Sequence, residues 1–131
     1  MHLVEEKPDF QFFLRGAQGH YALVNERRLQ TSFILSPQQL IENWPVRQAA
    51  ELDASALASL IALQPEVVIL GTGNTQDFPP AEAMAACLLR GIGIECMSNA
   101  AAARTFNVLA GEGRKVVAGF ILKQQDQEDQ G

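Results

Sequence analysis

The chain has 131 residues, 47% of them apolar and 19% charged, with a formal charge of −5 and a pI near 4.9. That length fits one domain and buries roughly two-thirds of the surface of the unfolded chain, enough for a core without disulfide or metal staples. The acidic balance excludes the basic face that nucleic-acid binding or an anionic membrane surface requires, and Arg27-Arg28 is the only short basic cluster.

The N-terminal segment Met1-His2-Leu3-Val4-Glu5-Glu6-Lys7-Pro8 has neither an apolar signal core nor the Arg-rich, acid-poor pattern of a transit peptide. No apolar run approaches the roughly 20 residues of a membrane helix, so no membrane insertion is expected and the cytoplasm is the expected location. Cys87 and Cys96 form no C-x-x-C pair and no zinc-type grouping with histidine. Both read as buried free thiols in a reducing compartment, with no metal or cofactor expected.

The first third reads as strands. Phe10 to Leu14 is an apolar run ending at Gly16, His20 to Val24 follows Gly19, and Ser32 to Leu35 stops at Ser36-Pro37. A short extended piece over Leu40 to Glu42 precedes Trp44-Pro45. The spacing and turn residues predict an antiparallel meander. Asp53 then suits the N-cap of a helix from Ala54 to about Leu63, with Leu57, Leu60 and Ile61 as its apolar stripe. Pro65 stops it. Val67-Val68-Ile69-Leu70 is a continuous apolar run, the mark of a strand buried on both faces.

Pro79-Pro80 opens a second helix whose buried face reads as Met84, Cys87 and Leu88, with Gly91 at C′. Gly93 to Met97 reads as a second interior strand. Ser98 or Asn99 caps a third helix to about Ala110, with Phe106 and Leu109 inward and Ala102 and Ala103 permitting close approach. Val116 to Leu122 is the last buried strand, its direction left open. Strand, helix, strand, helix, strand after Pro65 is a βαβ pattern, so the Val67 and Gly93 strands are expected to run parallel. Residues 1–123 are expected to form a single α/β domain. The polar stretch 124–131 is expected to be a disordered tail.

Ligands of a parallel α/β sheet sit at the carboxyl ends of its strands. One such end carries Gly71, Thr72, Gly73 and Asn74; the other carries Ser98 and Asn99. Gly71-Thr72-Gly73 suits either a plain tight strand exit or a backbone cradle for an anion or polar ligand. It is not a dinucleotide fingerprint, lacking the third glycine of G-x-G-x-x-G, and no G-K-[ST] follows to make a phosphate loop. Arg104 leans back toward the positive end of its own helix, where a cation is unfavourable unless an anion or carboxylate joins it. Asn107 shares its face. Arg104 therefore suits an anion clamp made with the cap residues and the Gly-Thr-Gly amides, or an ion pair with Asp77, Glu82 or Glu112.

No nucleophile with a neighbouring base is legible: both cysteines sit at core positions, Ser98 has no base nearby in sequence, and His2 and His20 lie toward the N-terminus. Trp44 reads as a local core anchor, or, if exposed, as part of a partner surface.

Three stretches carry a resemblance: Val68-Ile69-Leu70-Gly71-Thr72-Gly73, the run from Met97 through Leu109 followed by Glu112-Gly113-Arg114, and Trp44-Pro45. Together they resemble a domain-of-unknown-function family that includes mitochondrial NADH dehydrogenase (complex I) assembly factor 3 and many bacterial and archaeal single-domain proteins. The resemblance implies a three-layer α/β fold with a central mixed sheet and a small extra β layer. It supplies no catalytic residues. Members commonly have Thr or Ser where Asn99 stands and Tyr where Phe106 stands. It implies a non-enzymatic accessory domain acting through a protein partner, and the alternative from the residues is a small anionic metabolite bound at the strand carboxyl ends.

Overall fold

The computed structural model describes residues 11–124. The polar stretch 125–131, His2 and the start of the first apolar run lie outside the described residues. The elements are β1 (Leu14–Ala17), β2 (Ala22–Val24), β3 (Arg27–Leu29), β4 (Phe33–Leu35), β5 (Leu40–Ile41), α1 (Ala54–Ile61), β6 (Val67–Gly71), α2 (Ala81–Leu89), β7 (Gly93–Met97), α3 (Asn99–Gly111) and β8 (Val116–Phe120). A single 3-10 turn, Ala49–Glu51, precedes α1.

The expected meander is divided between two sheets. β1, β2 and β3 form a small antiparallel sheet, whereas β4 and β5 join the central one, whose order is β5-β4-β8-β6-β7. β3 was not anticipated: two arginines hide its single buried residue, Leu29. The two-residue turn Asn25-Glu26 joins it to β2, with Asn25 in the left-handed conformation (φ 52°) that asparagine tolerates. β1 starts later than Phe10 to Leu14 because ladder pairing begins at Leu14 opposite Val24. Gly16 does not end the strand; the register shifts between Leu14 and Gly16, a bulge that glycine accommodates.

In the central sheet β6 is flanked by β7 and β8, both parallel to it, and β4 runs antiparallel to β8. The two faces follow the period of two. Val67 and Ile69 of β6, with Val116, Ala118 and Phe120 of β8, face one cluster, built with α3 and the small sheet around Phe106 and Phe33. Val68 and Leu70, with Val117, face the other, built with α1, α2 and Trp44. Three layers result: α1 and α2, the mixed sheet, then α3 beside the small sheet. Trp44 is a core anchor, 5% exposed, lying where a Cβ on Gly119 would approach its ring to 2.7 Å. Aspartate and serine caps hold the helices as expected, Ala56 N–H donating to Asp53 and Ala101 N–H to Ser98.

Two assignments change. β7 is an edge strand rather than an interior one. Ile92, Ile94 and Cys96 pack toward α2, but Gly93 and Glu95 on the other face are exposed, because α3 crosses over β6 and β8 and leaves that face open. On α2 the buried residues are Ala83 and Cys87, with Met84 partly covered, and Leu88 is 63% exposed. A helix on one side of a sheet buries one stripe, and Ala83 with Cys87 a turn later already fills it.

Candidate functional site

The exits of β6 and β7 meet on one rim. Gly71 is paired with Met97 in the ladder, Thr72 N–H donates to Met97 carbonyl at 2.9 Å, and Asn99 N–H donates to Gly73 carbonyl at 2.7 Å. From β6 the chain goes through α2 to β7 on one side, and from β7 through α3 to β8 on the other, so the carboxyl ends of β6 and β8 flank a topological switch point.

Asn99 fills that place. It is fully buried in the first turn of α3, just after the Ser98 cap. Its Oδ1 accepts from Gly73 N–H at 3.2 Å, and its Nδ2 donates to Ile121 carbonyl at 3.0 Å and to Gln18 carbonyl at 2.8 Å. One amide thus joins the β6 exit, the β8 exit and the turn between β1 and β2. Gly71 makes room: a Cβ there would lie 2.4 Å from Asn99 Oδ1 and 3.0 Å from the Phe120 ring. The β1–β2 turn is tied down further by Lys123 N–H donating to Gly19 carbonyl. Asn74 reaches back over the same turn, so that a Cβ on Gly19 would come within 2.6 Å of its side-chain nitrogen.

Thr72 organises the loop after β6. Its hydroxyl lies 2.8 Å from the Thr75 carbonyl and 3.2 Å from the Met97 carbonyl, and accepts from Asp77 N–H at 2.9 Å. Gln76 donates to the Cys96 carbonyl on the β7 edge.

Asn107 lies elsewhere, on the flank of α3 that holds β1. Its Oδ1 accepts from Leu14 N–H at 2.9 Å and its Nδ2 donates to Leu14 carbonyl at 2.7 Å, imitating a strand partner. Arg104 stands on the exposed face of α3 in the row of Ala100 and Val108. Among the described residues it forms no ion pair, so the pairings considered with Asp77, Glu82 or Glu112 are not made. Of the eight residues singled out in the sequence, six gather at the rim, while Arg104 and Asn107 lie farther along α3.

The thiols are held protonated. Burial, helped by the negative charges of Glu95 and Asp77, pushes Cys96 up to about 11, and burial also raises Cys87. Neither offers a thiolate for nucleophilic or metal chemistry at neutral pH.

Residues 15–121 match the family described as "Protein of unknown function (DUF498/DUF598)". The chain belongs to that family. Among relatives of this DUF498/DUF598 chain, the 13 kDa major membrane protein of Francisella tularensis subsp. holarctica (strain LVS) is 30% identical over 118 residues, covering 88% of this chain and 95% of that protein. NADH dehydrogenase [ubiquinone] 1 alpha subcomplex assembly factor 3 of Rattus norvegicus is 30% identical over 100 residues, 75% of this chain. The match spans about half, 54%, of the rat protein's length. Among solved structures, Xanthomonas campestris XCC1710 superposes with a TM-score of 0.82 at 50% identity and 95% coverage of both chains. No helix among the described residues is long and apolar enough to cross a membrane.

Sequence reasoning missed the apolar surface around α2. Phe78, just before it, is 57% exposed, and Leu88 and Leu89 at its end are 63% and 88% exposed. The signal was present: adjacent leucines on a helix point about 100° apart, and a narrow buried stripe cannot take both.

Proposed function

We propose that this DUF498/DUF598 chain is a non-enzymatic accessory domain that acts by binding a protein partner, in the cytoplasm. The observation that carries this function is the concentration of large exposed apolar side chains, Phe78, Leu88 and Leu89, along one segment beside the open edge strand β7. Apolar surface of this kind on a small protein is the usual mark of an interaction site. Membership of a family with an assembly factor among its relatives supports the same function. The free, protonated thiols suit a reducing compartment. Capture from native extract at mild salt is expected to recover a stoichiometric protein partner, and a Phe78→Ser/Leu89→Ser variant is expected to lose it while keeping its melting temperature. Recovery of this chain alone would overturn the proposal.

A second function rests on the shared rim and on the unpaired guanidinium of Arg104. A small anionic metabolite at the rim beside Gly71, Gly73 and Asn99, met by Asn74 and Ser98 and by Arg104 reaching back from farther along α3, is the ligand class they suit. Such a ligand raises the melting temperature by mass action. Arg104→Ala is expected to abolish that rise without unfolding the protein; no rise across a panel of carboxylates and phosphates removes this function.

A further inference from the structure

We infer that a second copy of this chain adds to the outer edge of β7, the two β7 strands pairing antiparallel about a two-fold axis at Ile94. The central sheets of the two copies then form one continuous sheet. The inference concerns hydrogen-bonding groups along the strand edge and stands apart from the apolar segment proposed above to bind a protein.

The ladder with β6 fixes which groups face outward. Gly93 N–H donates to Glu66 carbonyl and Thr72 N–H donates to Met97 carbonyl, so residues 93, 95 and 97 turn their backbone groups toward β6. Directions alternate along a strand, and Ile94 and Cys96 therefore turn theirs to the open edge. Gln76 Nε2 meets the Cys96 carbonyl there at 2.9 Å. The N–H and C=O of Ile94 meet no partner among the described residues. Unpaired groups on an edge are a template for another strand. The other edges are blunted: β5 is two residues long, Asn107 closes β1, and Arg27 and Arg28 lie on β3. β7 has five residues and contains neither proline nor lysine.

One register of a two-fold pairing uses what is free. With Ile94 opposite the partner's Ile94, each N–H donates to the other's carbonyl. The next pair outward sets Cys96 beside the partner's Ile92, and there the Cys96 carbonyl and Ile92 N–H are already satisfied within each copy, by Gln76 and by the Cys87 carbonyl. Sliding one way sets Glu95 opposite the partner's Glu95, like charges face to face, and asks Ile94 N–H to donate to the occupied Cys96 carbonyl. Sliding the other way sets the Ile94 carbonyl against the engaged Ile92 N–H. The Ile94 register instead places exposed Glu95 opposite the partner's Gly93, on the face that α3 leaves open. Gly93 is a recess with room: a Cβ there would meet nothing nearer than 3.7 Å. One edge thus supplies donor, acceptor, charge and recess to its own copy, the self-complement that an isologous contact requires.

The test is sedimentation equilibrium of the whole 131-residue chain over about 10 µM to 1 mM, with amide hydrogen exchange followed by NMR across the same range, which brackets micromolar dissociation constants. A monomer–dimer equilibrium is expected. Exchange at Ile94 N–H is expected to slow as concentration rises, while Glu95 N–H, bonded to β6, stays protected throughout. Gly93→Lys and Gly93→Glu set an ammonium or a carboxylate opposite the partner's Glu95, twice per dimer. The lysine variant is expected to associate about tenfold more tightly than the glutamate variant. In a Glu95→Gln background that difference is expected to collapse, which ties it to this one pair. Both positions are exposed, and unchanged melting temperatures check that the fold is kept. A monomer throughout, a dimer whose Ile94 exchange ignores concentration, or equal association of the two Gly93 variants would overturn the inference. So would a chain that stays monomeric alone while a captured foreign protein protects Ile94, a result that leaves the accessory function standing.

Discussion

At the scale of single residues, the rim is governed by Asn99. Three hydrogen bonds from its side chain join parts of the chain far apart in sequence. Truncation leaves Gly73 N–H and the Ile121 carbonyl without their partner in a place closed to solvent, and the Gln18 carbonyl without its partner at the partly buried margin; each buried group of this kind costs about 1–3 kcal/mol. Asn99→Ala is expected to lower unfolding stability by about 3 kcal/mol, measured by urea titration. Gly71→Ala attacks the same place from the other side, since its methyl would overlap Asn99 Oδ1 and crowd Phe120. A loss of about 2–4 kcal/mol in the same titration is expected, as for overpacked cores. The cysteines make a chemical prediction. With Cys96 held near 11 and Cys87 also raised, a disulfide-exchange reagent at about pH 7.5 is expected to label both thiols only after denaturation, because the thiolate is the reacting form.

At the scale of elements, the small sheet is held to the rest by a side chain that behaves as backbone. Asn107 completes the outer edge of β1 through both backbone groups of Leu14. Asn107→Val keeps the shape and removes the pairing. The amides of β1 and β2 are expected to exchange hydrogen markedly faster, while those of β6 and β8 keep most of their protection, the mark of a subglobal opening. Near the amino ends of the parallel strands, Arg114 holds the Glu66 carboxyl below the usual carboxylate range by a side-chain hydrogen bond, with help from Lys115 N–H. A depressed carboxylate binds fewer protons folded than unfolded. Its contribution is present above the unfolded pKa and is lost as pH falls through the folded one. Both side chains are about half exposed, so the effect is small. The stability difference between wild type and Glu66→Gln is expected to favour wild type at about pH 7 and to vanish by about pH 2.

At the scale of the whole molecule, the small sheet is one wall of a core. Leu14, Ala22, Val24 and Leu29 lie in the same cluster as Phe33, Phe106 and Phe120. A chain beginning after Leu29 would expose that cluster and leave two carbonyl-directed bonds of the rim incomplete. Such a chain is expected to lose cooperative thermal unfolding and to bind a hydrophobic dye, whereas the intact chain unfolds in one transition.

The amino-acid order by itself determined everything local. Alternation within Val67–Leu70, the Asp53 cap, prolines before α2 and glycine after it specify elements through contacts a few residues apart, and the residue runs around Gly71-Thr72-Gly73 and Met97–Leu109 were enough to point to the family. What tertiary structure decided was which element neighbours which. β4 left the meander because its partner is β8, some 85 residues on. β7 became an edge because α3 crosses to the other side of β6. Asn107 turned out to bind Leu14, and Asn99 to bind Gln18 and Ile121, across separations that periodicity does not encode. Burial of Leu88 or Cys87 was a competition for one stripe, settled by how α2 sits on the sheet. Pairings at long separation depend on the summed packing of whole layers, and no short window of sequence carries that sum.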